Sequence, residues 1–213
     1  MSCFRIPQTI CAKIEGACAN FWWGMEGGRK KIHWLKWTEL CRPKNMGGMG
    51  FRNLVEFNKA LLAKQIWRII RNPNSLVARV LKARYFRHGD IMEASIGTKP
   101  SYIWRSLLWS RDLIKQGASW RIGNGEQTRI FRDHWVPSLN NSLRYTSGGL
   151  AEDDRVEKLI GDGAWDEQMI RGNFLPYVAD AIMSLPEPKE DREDCCFWRF
   201  DTKAIFGDRG TSS

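Results

Sequence analysis

The stretch NLVEFNKALLAKQIWRII, residues 53–70, decides the fold class of this 213-residue chain. Asn53 followed by Glu56 three residues later is the pattern of a helix-capping box. Apolar side chains recur along one side at helical spacing, namely Leu54, Phe57, Leu61, Ile66 and Ile70. The helix has to stop before Asn72-Pro73, because a residue that precedes proline is pushed out of the helical region. The stretch therefore predicts a long amphipathic helix.

Three further helices are predicted on either side of it. The helix over 8–25 ends near Gly24 and places Ile10, Ile14, Ala17, Cys18 and Phe21 at helical spacing. Both of its cysteines, Cys11 and Cys18, are expected in the core. The helix over 75–85 directs Leu76, Val77, Val80 and Leu81 inward and leaves Arg79, Lys82 and Arg84 outside. The helix that begins after Ser101 carries Ile103, Leu107, Leu108 and Ile114 and ends at Gly117.

The segment WRIGNGEQTRIFRDHWV, residues 120–136, predicts a β-hairpin near 120–131. WRI and TRIF are short strands, and Asn124-Gly125 is the pair that a type I′ turn prefers. Beyond it, short helices are expected over 156–160, 167–174 and 176–185, in an otherwise irregular C-terminal part. The fold class predicted for the whole chain is mainly α with small β elements, an α+β arrangement.

Charge is distributed unevenly along the chain. Residues 1–135 contain 24 Lys and Arg against 9 Asp and Glu, whereas residues 136–213 contain 9 against 15. Three regions are predicted from this contrast and from composition: a basic region over 1–136, a polar linker over 137–155, and an acidic module over 156–213 that includes PEPKEDRED as a solvated charged loop. No run approaches the roughly 18 apolar residues of a membrane span, so no membrane partner is expected.

The basic region points to the phosphate backbone of RNA or DNA as its partner, because an excess of one charge attracts the opposite polyanion. The candidate nucleic-acid-binding residues fall in two clusters, Arg29, Lys30, Lys31, His33, Trp34, Lys36 and Trp37, and Arg79, Lys82, Arg84 and Arg87. Tryptophan can stack on bases while cations hold phosphates. An extended conformation over 29–37 would mix cations and aromatics on both faces. Solvated surface charge remains the alternative for both clusters.

No catalytic and no metal-binding residues are predicted. The six cysteines form no C-x-x-C pair, and no Cys/His cluster has zinc-site spacing. Asp153-Asp154 are a pair of adjacent acids, and they lie in a polar segment where solvation is expected. The glycines at 47–50 suggest a turn rather than a phosphate cradle, since the Gly-Lys-Ser/Thr ending of a P-loop is missing. Free thiols in an intracellular compartment, nucleus or mitochondrion, are expected.

The order of several strings resembles the plant LINE-type (non-LTR) retrotransposon reverse transcriptase polyprotein. The strings lie at 1–11, 21–70, 72–86, 100–137 and, more loosely, 163–186, and include FWWGMEGGRKKIHWLKW and SWRIGNGEQTRIFRDHWVP. The resemblance implies the thumb and connection region, which follows the polymerase palm and precedes the zinc-binding and RNase H-like segments. Short plant mitochondrial open reading frames of this kind are also similar.

What the resemblance implies for function depends on the family's motifs. The catalytic Tyr/Phe-Ala-Asp-Asp motif, which holds divalent metal in the palm, is expected upstream of Met1, and the zinc ligands beyond Ser213. The chain is thus expected to be a non-catalytic fragment of an RNA-directed DNA polymerase, without a cofactor of its own. It would bind RNA or DNA weakly and without sequence preference, in partnership with a separately encoded palm. A protein–protein interaction module and a pseudogene product with no selected function are the alternatives.

Overall fold

The computed structural model describes residues 1–26, 29–139, 149–189 and 191–200. The chain divides into two compact units, which we call the N-terminal unit, Met1–Gln116, and the C-terminal unit, Gly117–Ser213. Helices and small antiparallel strand pairs make up both units, so the predicted fold class, mainly α with small β elements, is confirmed.

The N-terminal unit contains five α-helices, one 3-10 helix (Lys44–Met46) and one two-stranded pair in the described residues. The helices are α1 (Gln8–Trp23), α2 (Trp37–Leu40), α3 (Leu54–Arg71), α4 (Leu76–Tyr85) and α5 (Tyr102–Gly117). Strands β1 (Met25–Glu26) and β2 (Arg29–Lys30) pair antiparallel, with Met25 opposite Lys30. The starts and ends predicted for α1, α3, α4 and α5 are confirmed to within two residues.

Helix α3 is the centre of the N-terminal unit. Its N-cap is Asn53, whose Oδ1 accepts hydrogen bonds from the amides of Val55 at 3.0 Å and Glu56 at 3.1 Å. Its buried side is formed by Asn58, Leu62, Ala63, Ile66 and Ile69. The side chain of Asn58 accepts from the Ile6 amide at 2.8 Å and donates to the carbonyls of Met1 at 2.6 Å and Phe4 at 2.9 Å. This one buried amide thereby holds the first residues of the chain against α3.

Of the four residues predicted to be inward on α4, Leu81 lies on the side that packs and the other three do not. Leu76, Val77 and Val80 are 74%, 61% and 56% exposed, and the buried residue of the helix is Ala78. Ala78, Leu81 and Tyr85 follow one another at spacings of three and four, so they form the packed side. Tyr85 stacks on the buried Trp104 of α5, with ring centroids 4.5 Å apart.

The same correction applies to α1. Ile10, Ile14 and Phe21, predicted to be inward, are 42%, 43% and 89% exposed, and α1 instead buries Cys11 and Ala19. Cys18 is exposed, so only one of the two cysteines expected in the core is there. Periodicity identifies an apolar stripe but not whether another element covers it.

The segment between α1 and α3 is less extended than predicted. Within the stretch 29–37, which was predicted to be extended, Arg29 and Lys30 form a strand, residues 31–36 form none, and helix α2 begins at Trp37. The turn expected at the glycines 47–50 is confirmed. The four amides from Gly47 to Gly50 donate to backbone carbonyls between Leu40 and Lys44 at 2.9–3.2 Å, so they are not available for a phosphate.

The C-terminal unit is built on β3 (Ala118–Arg121), which pairs antiparallel with β6 (Cys195–Trp198), Ala118 lying opposite Trp198. Between them come a 3-10 helix (Val156–Leu159), strands β4 (Ile160–Gly161) and β5 (Ala164–Trp165), and helices α6 (Glu167–Asn173) and α7 (Pro176–Met183). The three short helices predicted in this region are therefore present. Their apolar sides enclose one core, whose buried members include Trp135, Ile130, Leu159, Ile170 and Ile182.

The hairpin predicted near 120–131 does not form. The strand partner of β3 is β6, more than 70 residues away, and residues 128–130 bond instead to the segment 154–156, with the Val156 amide 2.9 Å from the Thr128 carbonyl. Gly125 has a positive φ of 78° and Gly123 lies so close to Arg192 that a Cβ there would be 2.2 Å from its carbonyl oxygen. These glycines allow the loop 123–128 to wrap around a buried side chain.

That side chain is Asp194, which is 7% exposed. Its Oδ1 accepts hydrogen bonds from the amides of Gly123 at 2.8 Å and Gly125 at 2.9 Å. Its Oδ2 accepts from the amides of Gln127 at 3.0 Å and Thr128 at 2.9 Å, and from the Thr128 hydroxyl at 2.8 Å. The prediction that the whole acidic stretch before β6 is a solvated loop is therefore wrong at Asp194, because the loop supplies five donors to it.

The three regions predicted from composition stay predictions. Packing groups residues 117–136 with the C-terminal unit, whereas the change in charge lies near Pro137. The two divisions differ because one follows contacts and the other follows charge. Residues 140–148 of the predicted linker, and the residues from 201 onward, lie outside the described residues.

His134 joins the strand pair through both of its ring nitrogens. Arg199 Nη1 lies 3.3 Å from Nε2, and the Ser119 hydroxyl lies 3.2 Å from Nδ1 and 2.9 Å from the His134 carbonyl. A guanidinium can only donate, so Nε2 is the acceptor and the ring proton is assigned to Nδ1. Burial lowers the pKa of His134 below its usual 6.5, and the positive charge of Arg199 lowers it further.

We expect replacement of Asp194 by Asn to destabilise the C-terminal unit. The new amide group would face donors that now point at a carboxylate, and each unsatisfied buried donor is costly, so the loss should be about 3 kcal/mol or more. Urea unfolding followed by circular dichroism measures it. Asp191→Asn, at an exposed position on the same loop, is the matched control and should change little; equal effects of the two substitutions would contradict the role assigned to Asp194.

We expect the C-terminal unit to lose stability as the pH falls below about 6.5. The pKa of His134 is lower in the folded state, so between the folded and unfolded values the unfolded chain binds more protons, and stability rises with pH through that window and is complete above it. Denaturant midpoints between pH 5.5 and 7.5 test this. In His134→Gln, whose side chain can still accept from Arg199, this dependence should disappear; an unchanged pH profile would contradict the assignment.

Candidate nucleic-acid interface

The first basic cluster lies between α1 and α2, and most of its side chains reach the surface. Arg29 and Lys30 form strand β2, and the Lys31 amide donates to the Gly24 carbonyl at 3.4 Å. Lys31, His33, Trp34 and Lys36 are exposed, Trp34 by 76%. The exposure that phosphate contact requires is therefore present in this segment.

The aromatic residues of this cluster differ in what they contact. Trp37 packs on Phe51 with ring centroids 5.1 Å apart, and Trp22 meets the same ring edge-on at 4.9 Å. His33 stacks on Trp23 at 6.3 Å. Trp37 thus helps to anchor the segment to the start of α3, whereas Trp34 presents its ring to solvent. Of the two predicted tryptophans, Trp34 is the one suited to stack on a base.

The second basic cluster lies on α4 and the residues after it. Arg79, Lys82, Arg84 and Arg87 are all exposed, as predicted for the helix residues. Arg84 lies over the ring of Tyr85, 5.4 Å from its centroid. Arg79, Lys82 and Arg87 form no ion pair with the acidic residues that the structure describes, so their charges are not neutralised locally.

The two clusters lie on opposite sides of α3 in chain order. The first precedes α3 and is anchored near its start through Phe51, while the second follows the end of α3. Helix α3 has 18 residues, which at 1.5 Å per residue is about 27 Å. Both clusters belong to the N-terminal unit, with the whole of this helix between them in the chain.

Charge is concentrated in the N-terminal unit as a whole. Residues 1–116 contain 21 Lys and Arg against 7 Asp and Glu, whereas residues 117–213 contain 12 against 17. Sequence reasoning missed a further basic group on this unit, in which Arg5 and Lys59 lie 4.5 Å and 5.9 Å from the ring centroid of Trp109. Its three members are 50 or more residues apart, so no local spacing could have indicated it.

Asp153 and Asp154 bond to neighbouring residues and do not act together as a pair of metal ligands. Asp153 is exposed and lies 3.2 Å from Arg132, while Asp154 is largely covered and bonds Lys158 at 2.7 Å and the Ala151 amide at 2.8 Å. These hydrogen bonds, first that of Lys158, hold the pKa of Asp154 below its usual value. The prediction of solvation thus holds for Asp153 and is wrong for Asp154. Across the described ranges, no three His, Cys, Asp or Glu side chains are grouped to hold a metal ion.

Comparison with known proteins provides the family. The uncharacterized mitochondrial protein AtMg00310 of Arabidopsis thaliana is 46% identical over 137 residues, which are 64% of this chain and 89% of that protein. The chain belongs to the AtMg00310 family. The expected similarity to short plant mitochondrial reading frames is thereby confirmed.

A second plant protein is also similar to this member of the AtMg00310 family. The "Putative ribonuclease H protein At1g65750" of Arabidopsis thaliana is 36% identical over 140 residues, 64% of this chain, and the match covers 22% of its own length. No family model matches the sequence, and no solved structure matches it. In the part of this chain that the structure describes, no helix is long and apolar enough to cross a bilayer.

Proposed function

We propose that the protein is a non-catalytic fragment derived from a plant retrotransposon, and that its N-terminal unit binds RNA or DNA backbones weakly and without sequence preference. Its relationship to a protein named for ribonuclease H and to a mitochondrial protein supports this origin. Within a LINE-type reverse transcriptase polyprotein, the chain would correspond to the thumb and connection region. Its partners would be nucleic acid and a separately encoded palm, in the nucleus or mitochondrion, and it would carry no metal cofactor.

The observation that carries the proposal is the charge of the N-terminal unit together with three cations, Arg79 and Lys82 on α4 and Arg87 after it, that form no ion pair with the acidic residues that the structure describes. An excess of 14 positive charges over 116 residues raises a potential that attracts a polyanion from a distance. Arg79, Lys82 and Arg87 then release counterions from each phosphate that they neutralise, which is the main source of non-specific affinity. Contacts to phosphates position a protein without reading sequence.

The aromatic residue at the surface favours single strands over duplexes. Trp34 offers a ring face to solvent beside Lys31 and Lys36, which is the combination that single-strand binding proteins use. A duplex keeps its bases stacked on each other and leaves no face for this ring. Single-stranded RNA or DNA is therefore the form that the first basic cluster suits best.

A second candidate function is that of a protein interaction module. The specific observation that favours it is the exposure of Leu76, Val77 and Val80 on α4 and of Ile10, Ile14 and Phe21 on α1. Contiguous exposed apolar side chains commonly mark interaction surfaces. This function does not exclude nucleic-acid binding, because the apolar residues and the cations are different side chains.

We expect the affinity for a 20-nucleotide single strand to fall steeply with salt, and the slope to be reduced in the triple variant Arg79→Gln, Lys82→Gln, Arg87→Gln. Each phosphate contact contributes about 0.7 to the slope of log K against log salt concentration, so three lost contacts should lower it by about 2. Fluorescence anisotropy at several salt concentrations measures the slope.

The matched control removes three positive charges that already have partners, through Arg42→Gln, Lys158→Gln and Arg171→Gln. These cations lie 2.8 Å, 2.7 Å and 2.7 Å from Glu39, Asp154 and Glu167. The net charge change is the same in both triple variants, yet the control should leave most of the slope in place. Equal slopes in the two variants would place the contacts elsewhere, and affinity independent of salt would contradict the proposed function.

We expect Trp34→Ala to weaken single-strand binding by about 1–3 kcal/mol, the usual value of one stacked base, and to leave duplex binding unchanged. Ile32→Ala is the control, because Ile32 is 71% exposed in the same segment and has no ring to stack. Anisotropy with matched single-stranded and duplex oligonucleotides separates the two. A similar loss in both variants, or a loss for duplex as well, would contradict a stacking role.

A further inference from the structure

An apolar groove of about 1250 Å³ runs across the N-terminal unit where α3 ends, α4 begins and α5 starts. Most of the exposed area of its walls is apolar. The aliphatic residues come from the three helices, namely Ile69 of α3, Leu76, Val77, Val80 and Leu81 of α4, and Ile103 and Leu107 of α5, while Ser2, Cys3, Gln65 and the turn 72–75 also line it. Leu76, Val77, Val80 and Ile103 are each at least 42% exposed. The groove is thus open, and it lies on the side of α4 that the packing against α3 and α5 leaves free.

The chemistry of the groove narrows the choice of occupant. No aromatic residue lines it, so it offers no ring on which a nucleobase could stack. No Asp or Glu lines it either, whereas Arg68 and Arg71 do, and Arg79 lies on the same helix as its α4 wall. Its volume exceeds the range of about 300–1000 Å³ that small-molecule sites occupy. An aliphatic floor with a basic edge complements an apolar stripe flanked by carboxylates.

We propose that this groove binds an amphipathic helix of a protein partner, with aliphatic side chains at positions i, i+3, i+4 and i+7 and acidic residues beside them. Helices recognised in grooves present their apolar side in this pattern. Leu76 and Val80, one turn apart on α4, form the central contact, and Arg68 contacts the acidic edge of the partner helix. The proposal goes beyond nucleic-acid binding and does not depend on it.

The test uses the full chain and a synthetic probe, a 16-residue peptide with Leu at the four stripe positions and Glu and Ala elsewhere. Calorimetric titration should show binding that Leu76→Ser with Val80→Ser weakens at least about tenfold, because two central apolar contacts are lost. Both residues are exposed, so the double variant should unfold at the wild-type temperature. Ile32→Ser, equally exposed in the same unit but outside the groove, is the control and should bind the peptide normally.

A charge exchange tests the basic edge separately. Arg68→Glu should weaken binding of the Glu peptide and strengthen binding of a peptide with Lys at the same positions, since attraction and repulsion exchange places. If the affinity for both peptides fell to the same degree, Arg68 would act only through the fold of α3, and the role of the basic edge would be contradicted.

Three outcomes would overturn the proposal. One is absence of peptide binding, or binding that Leu76→Ser with Val80→Ser does not change. Another is concentration-dependent self-association in sedimentation experiments that the same double variant abolishes, because the occupant would then be a second copy of the chain. The third is loss of single-strand binding in that variant, which would assign the groove to nucleic acid. The triple variant Arg79→Gln, Lys82→Gln, Arg87→Gln tests nucleic-acid binding on its own, so the two proposals can fail independently.

Discussion

The C-terminal unit depends on one buried carboxylate. Asp194 receives five hydrogen bonds, four from backbone amides between Gly123 and Thr128 and one from the Thr128 hydroxyl. It immediately precedes β6, so the same contact that closes the loop brings β6 beside β3. A buried charge is tolerated only when it is fully hydrogen-bonded, and the loop meets this condition. The closure of the loop at Gly125 and the approach of β6 to β3 therefore both depend on it.

In the N-terminal unit, a buried side chain likewise bonds the backbone of a distant segment, but here the side chain is neutral. Asn58 satisfies backbone groups of Met1, Phe4 and Ile6 from the middle of α3. In both units a single buried polar side chain fixes a segment that is more than 50 residues away in sequence. The cost of leaving any of these groups unpaired in a low-dielectric interior makes such contacts selective for one arrangement of the chain. Small units with short strands need this selectivity, because their sheets alone contribute little.

Local signals predicted the helices and failed where a distant partner decided the outcome. Asn53 and Ser75 cap α3 and α4 as their positions indicate, since capping depends on residues within one turn. Asn124-Gly125 indicated a hairpin, but Asp194 lies about 70 residues away and no spacing rule connects them. The apolar stripes of α1 and α4 were located correctly, but most of their residues were wrongly predicted to be buried, because a sequence does not show which stripe another element covers. At the candidate interface, exposure of the cations followed from the helix pattern, whereas only the packing on Phe51 distinguishes Trp37 from Trp34.

Helix α4 carries three rows of side chains with three physical roles. Ala78 and Tyr85 pack inward, Arg79 and Lys82 lie on an adjacent row, and Leu76 and Val80 line the groove. The basic row acts through charge over a distance of about 8–10 Å, so its effect tolerates shifts in position and even exchange of Lys and Arg. The groove acts through contact and depends on the shape of each aliphatic side chain. Since the two rows respond to different substitutions and different solvent conditions, one short helix can serve a polyanion and a protein partner without either surface limiting the other.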